Sequence, residues 1–375
     1  MFSKPYISLL ITTTVFGAAR AWFRVPCTLP LVQERIDPIV QPGVSPSQHL
    51  HTVHGASNFV DDATYESLQA SRCTSCQVLQ DMSNYWVPTL YFHDKTNDTY
   101  ELVPNGGLLV YYQNRGQGDV SNGGPGLKAF PAGFRMISGN PALRTKKPGE
   151  GSQAELAERA IGWSCLRYSV NKANYDGYQF SGRLIPFYFV VALVCINNPK
   201  RFNAHINMPA CWDGKNLDSA DHRSHVAFLS DLDNGACPST HPVTTMMLFY
   251  EITWDVHNFA DRWDVNNPNA WPFVYSTGDP TGYSSHGDFF SGWDVTALQN
   301  AIDHCNNPND DTGSGDTEAC SYLTVQSSAT ANNCKISPSV SEMTTGVLDA
   351  LPGCNPLQFG PGDATIYTDS DCPGH

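Results

Sequence analysis

Short apolar runs separated by turn residues dominate this sequence, and that pattern limits the folds open to the chain. The runs are rich in aromatic and β-branched residues, and dipeptides such as Asn105-Gly106, Asn122-Gly123 and Asp213-Gly214 mark tight turns between them. The predicted strands are residues 85–92, 99–103, 107–113, 133–139, 183–196, 224–231, 245–256 and 271–277. We therefore predict a mainly β protein, an antiparallel β-sandwich of jelly-roll type, with a few short helices and disulfides.

Two segments have features of helices. Residues 149–165 can hold one helix, which Gly162 is expected to end. Residues 292–305 place apolar side chains at helical spacing, and Asp294 or Thr296 lies near the expected start. Both helices are short, which agrees with a fold made mainly of strands.

Residues 1–21 have the pattern of a secretory signal peptide. Lys4 precedes an apolar run at residues 6–18, and Ala19-Arg20-Ala21 supplies the small residues of a cleavage site before Trp22. This run and the later one at residues 184–196 are both shorter than the about 20 residues that a membrane span needs. We expect a secreted protein, extracellular or associated with the cell wall, with no membrane span after signal removal.

All 12 cysteines follow the predicted signal peptide. An even number in an exported chain predicts disulfides, although the pairing cannot be deduced from the sequence. Cys73 and Cys76 form a CxxC pair, but no second pair follows, so structural disulfides are favoured over a zinc site. Cys73 is expected to pair with a near neighbour.

The composition changes after Cys305 to a polar stretch rich in Asn, Ser and Thr. We expect residues 22–305 to form the β-sandwich domain and residues 306–375 to be an extension that cysteines pin to it, because such a segment has little apolar surface to bury. Asn97-Asp98-Thr99 is a glycosylation sequon on a predicted surface turn.

The charge balance excludes one class of partner. The formal net charge is −14 with only 22 basic residues, so binding to a phosphate backbone is not expected. Aromatic residues make up 11% of the chain, and their flat rings suit the apolar faces of sugars. We therefore expect a polysaccharide or cell-wall glycan as partner, no nucleic acid, and a monomeric protein.

Residues 47–59, SQHLHTVHGASNF, contain the densest group of histidines. If this segment is extended, His49 and His51 share one face about 7 Å apart, twice the rise per residue, and His54 faces the other way. Two imidazoles on one face can bind one metal ion or one substrate. The alternative is that the rings bond to backbone carbonyls in a loop.

Two further segments combine histidine with acidic or small residues. His222 and His225 lie in residues 211–228, a loop that leads into an apolar strand, and could complete a site with His49 and His51. His286 and Asp288 share a face if their segment is extended, and Asp288 could orient an imidazole or bind a metal directly.

A rival set lies on residues 249–257, where Glu251, Thr253, Asp255 and His257 share a face of a strand. Rows of carboxylates on a strand are typical of jelly-roll glycosidases. Glu251 and Asp255 would be about 13 Å apart on a straight strand, which is too far for a paired-carboxylate mechanism without a bulge or convergent rotamers. The alternative is a solvated outer face of a sheet.

Several blocks of the chain resemble a known family. HLHTVHGASNF, ACWDGKNLDSADHRSHVAF and GDPTGYSSHGDFFSGWD occur in this order, within a resemblance that covers residues 37–305. The family is a secreted fungal one, catalogued as a domain of unknown function and often found beside WSC carbohydrate-binding modules. The resemblance implies secretion and a fungal origin, and it implies no particular chemistry.

The sequence thus leads to two hypotheses, and whether the chain is an enzyme is left open. The first is a glycan-active enzyme, a polysaccharide hydrolase or lyase, with a site made of His49, His51, His222, His225, His286 and Asp288. A divalent metal ion held by His49, His51 and His225 would activate water, or a histidine or tyrosine would remove the proton beside a uronate carboxylate. The second is a non-catalytic cell-wall or surface protein that binds glycan.

Overall fold

The structure is a computed structural model of the chain. It describes residues 21–145, 151–166, 201–264, 267, 270–307, 311 and 315–373. The strand predicted at residues 183–196 and nearly all of the predicted signal peptide lie outside these ranges. Within them, the protein consists mainly of strands with a few short helices.

The strands, in chain order, are β1 (Ala21–Cys27), β2 (Val32–Glu34), β3 (His51–Gly55), β4 (Asn84–Pro88), β5 (Leu90–Asp94), β6 (Thr99–Leu102), β7 (Asn105–Gln113), β8 (Arg135–Gly139), β9 (Ile161–Leu166), β10 (Arg201–Asn207), β11 (Cys211–Trp212), β12 (Val226–Ala227), β13 (Val243–Thr244), β14 (Met247–Trp254), β15 (Phe273–Tyr275), β16 (His286–Phe290) and β17 (Val347–Leu348). Among the described residues, the α-helices are α1 (Tyr65–Gln69), α2 (Gln153–Arg159), α3 (Val295–His304) and α4 (Ser328–Asn332). Short 3-10 helices span Val120–Asn122, Val256–Phe259 and Thr317–Ala319.

Two five-stranded sheets form the main part of the molecule. Sheet one has the order β1-β7-β14-β10-β9, and sheet two has the order β2-β3-β4-β16-β8. Smaller sheets have the orders β15-β5-β6-β17 and β12-β11-β13. The strands that form these sheets pair antiparallel. The predicted mainly β, antiparallel class is confirmed, while the jelly-roll connectivity stays a prediction.

The core lies between the two five-stranded sheets. Along β14, Leu248, Tyr250 and Ile252 are buried and alternate with half-buried residues, as expected for a strand with one face on the core. Tyr250 of sheet one meets Tyr85 of sheet two with ring centroids 5.8 Å apart. A side chain at Gly287 of sheet two would have its Cβ 3.0 Å from the Tyr250 ring. The sheets therefore face each other closely, in a sandwich arrangement.

Local signals located several of the elements. The helix predicted at 292–305 is α3, and the Asp294 side chain caps its start by accepting from the Ala297 N–H at 3.0 Å. The strand predicted at 224–231 is reduced to β12. Its next residue, Phe228, donates its backbone N–H to the side chain of Gln153 at 2.7 Å, so this segment does not continue a ladder.

Five disulfides connect described cysteines, and none of these cysteines is free. The pairs are Cys27–Cys76, Cys73–Cys334, Cys211–Cys237, Cys305–Cys320 and Cys354–Cys372. The expected near neighbour for Cys73 was wrong, because its partner is 261 residues away in sequence. The polar C-terminal segment returns beside β2, where the Ile336 N–H donates to the Leu31 carbonyl at 3.3 Å, and this brings Cys334 to Cys73.

Among the described residues, no helix has the length and apolar character required to cross a membrane.

Candidate metal centre

The centre starts at the two histidines of the HxH pattern. His51 is the first residue of β3, and His49 precedes it by two positions, so both rings lie on one face with centroids 4.3 Å apart. This is the same-face arrangement predicted from the sequence. His54 is also fully buried, but it has the opposite parity in the strand.

Strand β16 brings the third histidine to this pair. Asp288 of β16 lies opposite Trp86 of β4, and the antiparallel register therefore places His286 beside Pro88 of β4. On the other side of β4, Pro88 lies opposite His51. The ring centroids of His286 lie 5.0 Å from His49 and 6.0 Å from His51. Strand order in sheet two therefore places three histidines from two distant segments around one point.

Carbonyl groups fix the protonation of all three rings. The Nδ1 atom of His49 contacts the Gln48 side-chain oxygen at 2.7 Å. The Nδ1 atom of His51 contacts the Ile36 carbonyl at 3.0 Å, and that of His286 contacts the Ser284 carbonyl at 2.7 Å. A carbonyl oxygen can only accept, so each Nδ1 carries the hydrogen and each Nε2 carries a lone pair. Imidazoles that bind metals are held in this way by outer carbonyl groups.

The three Nε2 lone pairs converge without a hydrogen between them. The Nε2 atoms of His49 and His286 are 3.1 Å apart, and the Nε2 atom of His51 is buried with no hydrogen-bond partner. One nitrogen from each ring lies within 4.8 Å of the others. Two nitrogens bound to one tetrahedral ion at about 2.05 Å would be about 3.3 Å apart, close to the separation seen here.

Burial keeps these imidazoles neutral. It lowers the pKa of His51 to about 4 and, with the neighbouring His51, the pKa of His286 to about 3. Burial and the two other rings also lower the pKa of His49 well below its usual value. A proton therefore does not bridge the lone pairs at neutral pH, whereas a metal cation would satisfy all three.

Two buried carboxyl groups lie beside the histidines. The Asp288 Oδ2 atom is 3.9 Å from the His286 Nε2 and has no hydrogen-bond partner. Burial, and then the neighbouring Asp37, raises the pKa of Asp288 well above its usual value. The Asp37 carboxyl accepts from the backbone N–H groups of Ile39 and Val40 at 3.1 and 3.0 Å. Burial makes the ionised form of Asp288 costly, and a metal cation beside its Oδ2 atom would lower that cost.

His225, predicted as the third metal ligand, lies elsewhere. Its Nε2 contacts the Arg135 carbonyl at 2.7 Å, its Nδ1 contacts the Ser219 hydroxyl at 2.9 Å, and its ring packs on Phe134. Both nitrogens are thus occupied by the loop and by β8, so His286 takes the place that was predicted for His225.

His222 lies at the edge of the centre and not among the converging nitrogens. It has a left-handed backbone with φ of 56°, and its Nδ1 is 2.8 Å from the Asp218 carboxylate. Its backbone carbonyl accepts from the Ile137 N–H at 3.2 Å, and Ile137 lies opposite Asp288 in sheet two.

The rival row on β14 is incomplete. Strand β14 ends at Trp254, and Asp255 and His257 belong to the 3-10 turn that follows. Only Glu251 and Thr253 remain on the outer face of the sheet.

Sequence reasoning missed four contributors to the centre: Asp37, Gln48, Arg223 and Asn355. The Arg223 guanidinium donates to the Gly139 carbonyl at 2.8 Å, and its charge acts on Asp288. Gln48, whose only sequence signal was its position beside His49, donates to Asn355 at 2.5 Å, and Asn355 donates back to the Gln48 carbonyl at 3.0 Å. These contacts join segments far apart in sequence.

The C-terminal segment therefore covers the centre. The exposed fractions of His49, His51 and His286 are 6%, 0% and 3%. Gly353 lies so close that a Cβ there would be 2.9 Å from the Gln48 carbonyl. Access to the ligand atoms is closed in this conformation.

One comparison with known proteins gives a match. A family model described as a domain of unknown function (DUF1996) matches residues 37–293, a range that begins at Asp37 and includes all three converging histidines and Asp288. No curated protein and no solved structure matches the chain.

Proposed function

Because the chain belongs to the DUF1996 family, whose description names no activity, we propose a function from the site: His49, His51 and His286 bind a divalent transition-metal ion, with which the protein acts on glycan by hydrolysis or elimination. The observation that carries the proposal is the convergence of three Nε2 lone pairs whose Nδ1 atoms all face carbonyl oxygens.

The donor set favours particular metals. Three imidazoles suit zinc, copper, nickel or iron, whereas calcium and magnesium prefer oxygen ligands. Asp288 provides a fourth donor, or a base, on the side of His286. A divalent metal at this point would activate a water molecule or neutralise a substrate carboxylate.

The choice of glycan as substrate rests on the whole chain. A net charge of −14 disfavours nucleic acid, and the disulfides and the N-terminal apolar run are typical of secreted proteins. Secretion to the cell surface, in a fungus, is part of the proposal. Arg223, beside Asp288, supplies the cation that a uronate carboxylate would need during elimination.

Metal analysis tests the centre itself. The purified protein is expected to contain about one transition-metal ion per chain, because the described residues hold one such group of three imidazoles. His51→Ala should lose this metal, and the matched control His257→Ala, at an exposed histidine, should retain it. Wild-type protein that takes up neither zinc nor copper after dialysis against each would contradict the proposal.

Activity is tested on a polysaccharide panel, read both for new reducing ends and for the ultraviolet absorbance of unsaturated uronates. His51→Ala should lower the rate by about 100-fold or more if the imidazole supports catalysis, while His257→Ala should not change it. Both variants must first show a cooperative thermal transition, since a buried partnerless group can unfold a domain.

The burial of the centre favours a second candidate, a glycan-binding protein in which the metal is structural. None of the three histidines is more than 6% exposed, as in closed structural sites. Under this candidate, chelation lowers the melting temperature, and no polysaccharide gives product with either readout.

A further inference from the structure

We infer a second site, independent of the metal centre: a groove on the outer face of sheet one that binds a short neutral oligosaccharide. The groove has a volume of about 460 Å³, within the range of small-molecule sites. It lies on the other side of β14 from the metal centre. Tyr250 points to the core and donates to the Asp288 carbonyl at 3.0 Å, whereas the next residue, Glu251, lines the groove.

The floor of the groove is a polar network across three strands. The Glu251 carboxylate accepts from the Tyr111 hydroxyl at 2.8 Å and from the Asn203 amide at 2.6 Å. Thr253 donates to the Asn203 oxygen at 2.9 Å. Each Glu251 oxygen keeps a lone pair after these bonds, so the held carboxylate can accept from ligand hydroxyl groups.

The wall of the groove comes from the C-terminal extension. Thr317 both accepts from the Arg24 N–H at 3.0 Å and donates to the Arg24 carbonyl at 2.6 Å, while the Arg24 side chain donates to Gly315 at 3.1 Å. These bonds fasten the 3-10 helix Thr317–Ala319 along β1. The sheet and the extension then enclose a cleft that neither would form alone.

The lining selects the class of ligand. Glu251 and Glu318 outnumber Arg24, which is engaged with Gly315, so an anionic ligand is disfavoured. Apolar surface is provided by Pro26, Leu109 and Val325, which suits the C–H faces of a sugar ring. A neutral polyol with hydroxyl donors and an apolar face, such as a hexose residue, satisfies both features.

Two glycines keep the floor accessible. Gly106 and Gly107 line the groove, and a Cβ at Gly106 would lie 3.0 Å from the Thr253 methyl group. Side chains here would crowd the network that holds Glu251.

Calorimetric titration with cellotetraose, laminaritetraose and mannotetraose, and with tetragalacturonate as the acidic comparator, tests this site. At least one neutral sugar should bind, and the acidic one should not. Glu251→Gln removes the charged acceptor, and Leu109→Trp fills the cleft opposite Glu251. Glu251→Gln should weaken binding by about tenfold or more, the usual effect of losing one charged hydrogen bond. Leu109→Trp should weaken it at least as much, because the indole occupies the volume that the sugar needs. Glu66→Gln, at an exposed glutamate on α1, should bind as wild type.

The outcome is separable from the metal proposal. His51→Ala protein and chelated protein should bind the neutral sugar as well as untreated wild type, because β14 and the core lie between the two sites. No binding of any neutral sugar at its highest soluble concentration would overturn the inference. Equal binding by Glu251→Gln, Leu109→Trp and wild type would also overturn it, provided that all three show the same melting transition.

Discussion

At the scale of single residues, hydrogen-bond partners decide what each histidine can do. His51 and His225 are both buried, but the Nε2 of His225 faces a carbonyl, whereas the Nε2 of His51 faces other imidazoles. Only the second arrangement leaves a lone pair for a metal. The identity of the residue alone does not distinguish these two roles.

His54 should make the protein sensitive to acid. Burial lowers its pKa to about 3, below the usual 6.5, so the unfolded chain binds a proton at mildly acidic pH and the folded chain does not. The free energy of unfolding therefore contains the full contribution of neutral His54 above pH 6.5. It decreases by a few kcal/mol as the pH falls toward 3. Between pH 7 and about pH 4, the melting temperature of His54→Gln should fall by less than that of wild type.

The other buried histidines affect the melting temperature equally in wild type and in His54→Gln. The difference between the two pH profiles of melting temperature therefore reports on His54 alone. Parallel profiles for the two proteins would show that residue 54 does not gain a proton on unfolding.

At the scale of elements, the pairing of β8 with β16 positions His286. Gly139 lies opposite His286 with φ of 89°, and a Cβ there would be 2.4 Å from the Ser285 carbonyl. Gly139→Ala should destabilise the fold by about 2 kcal/mol or more, because a left-handed backbone and a clash add together. It should also weaken metal binding, since the strand that carries His286 must move.

Thermal unfolding and metal content of Gly139→Ala check this prediction. Gly362→Ala, at a glycine with no atom within 4 Å of its added Cβ, is the control. A Gly139→Ala protein with wild-type stability would show that β8 and β16 can separate at no cost.

The contact of the C-terminal extension with Gln48 should control how fast a metal leaves. Asn355 holds Gln48, and Gln48 in turn holds His49. Asn355→Ala should leave the metal content unchanged and speed its removal by a chelator several-fold, because the outer support of a ligand is lost. Stopped-flow chelation measures the rate, with Ser370→Ala, at an exposed position of the extension, as control. Equal rates would show that the extension does not limit access.

At the scale of the whole molecule, the disulfide Cys73–Cys334 ties the C-terminal segment to the rest of the chain, whereas Cys354–Cys372 lies within that segment. Cys73–Cys334 closes a loop of 261 residues, and Cys354–Cys372 closes one of 18. Chain entropy predicts that removing them costs about 5.5 and about 3 kcal/mol, respectively. The Cys73→Ser/Cys334→Ser double variant should therefore melt at a lower temperature than the Cys354→Ser/Cys372→Ser variant. The reverse order would mean that local contacts outweigh loop closure.

The features that could be predicted from the sequence are those that depend on neighbouring residues. Strand alternation has a period of two, so the spacing of the residues was enough to pair His49 with His51 and His286 with Asp288. The helix α3, with Asp294 or Thr296 near its start, and the antiparallel β class followed from equally local signals, and the structure identifies Asp294 as the N-cap.

Which of these local pairs meet depends on the tertiary fold. Strands β3 and β16 come together because β4 lies between them, an order set by burial of the whole core. For the same reason His286, and not His225, faces the HxH pair, and Cys73 finds Cys334. Backbone geometry is fixed over a few residues, whereas strand order is chosen by the free energy of burying all the apolar faces together.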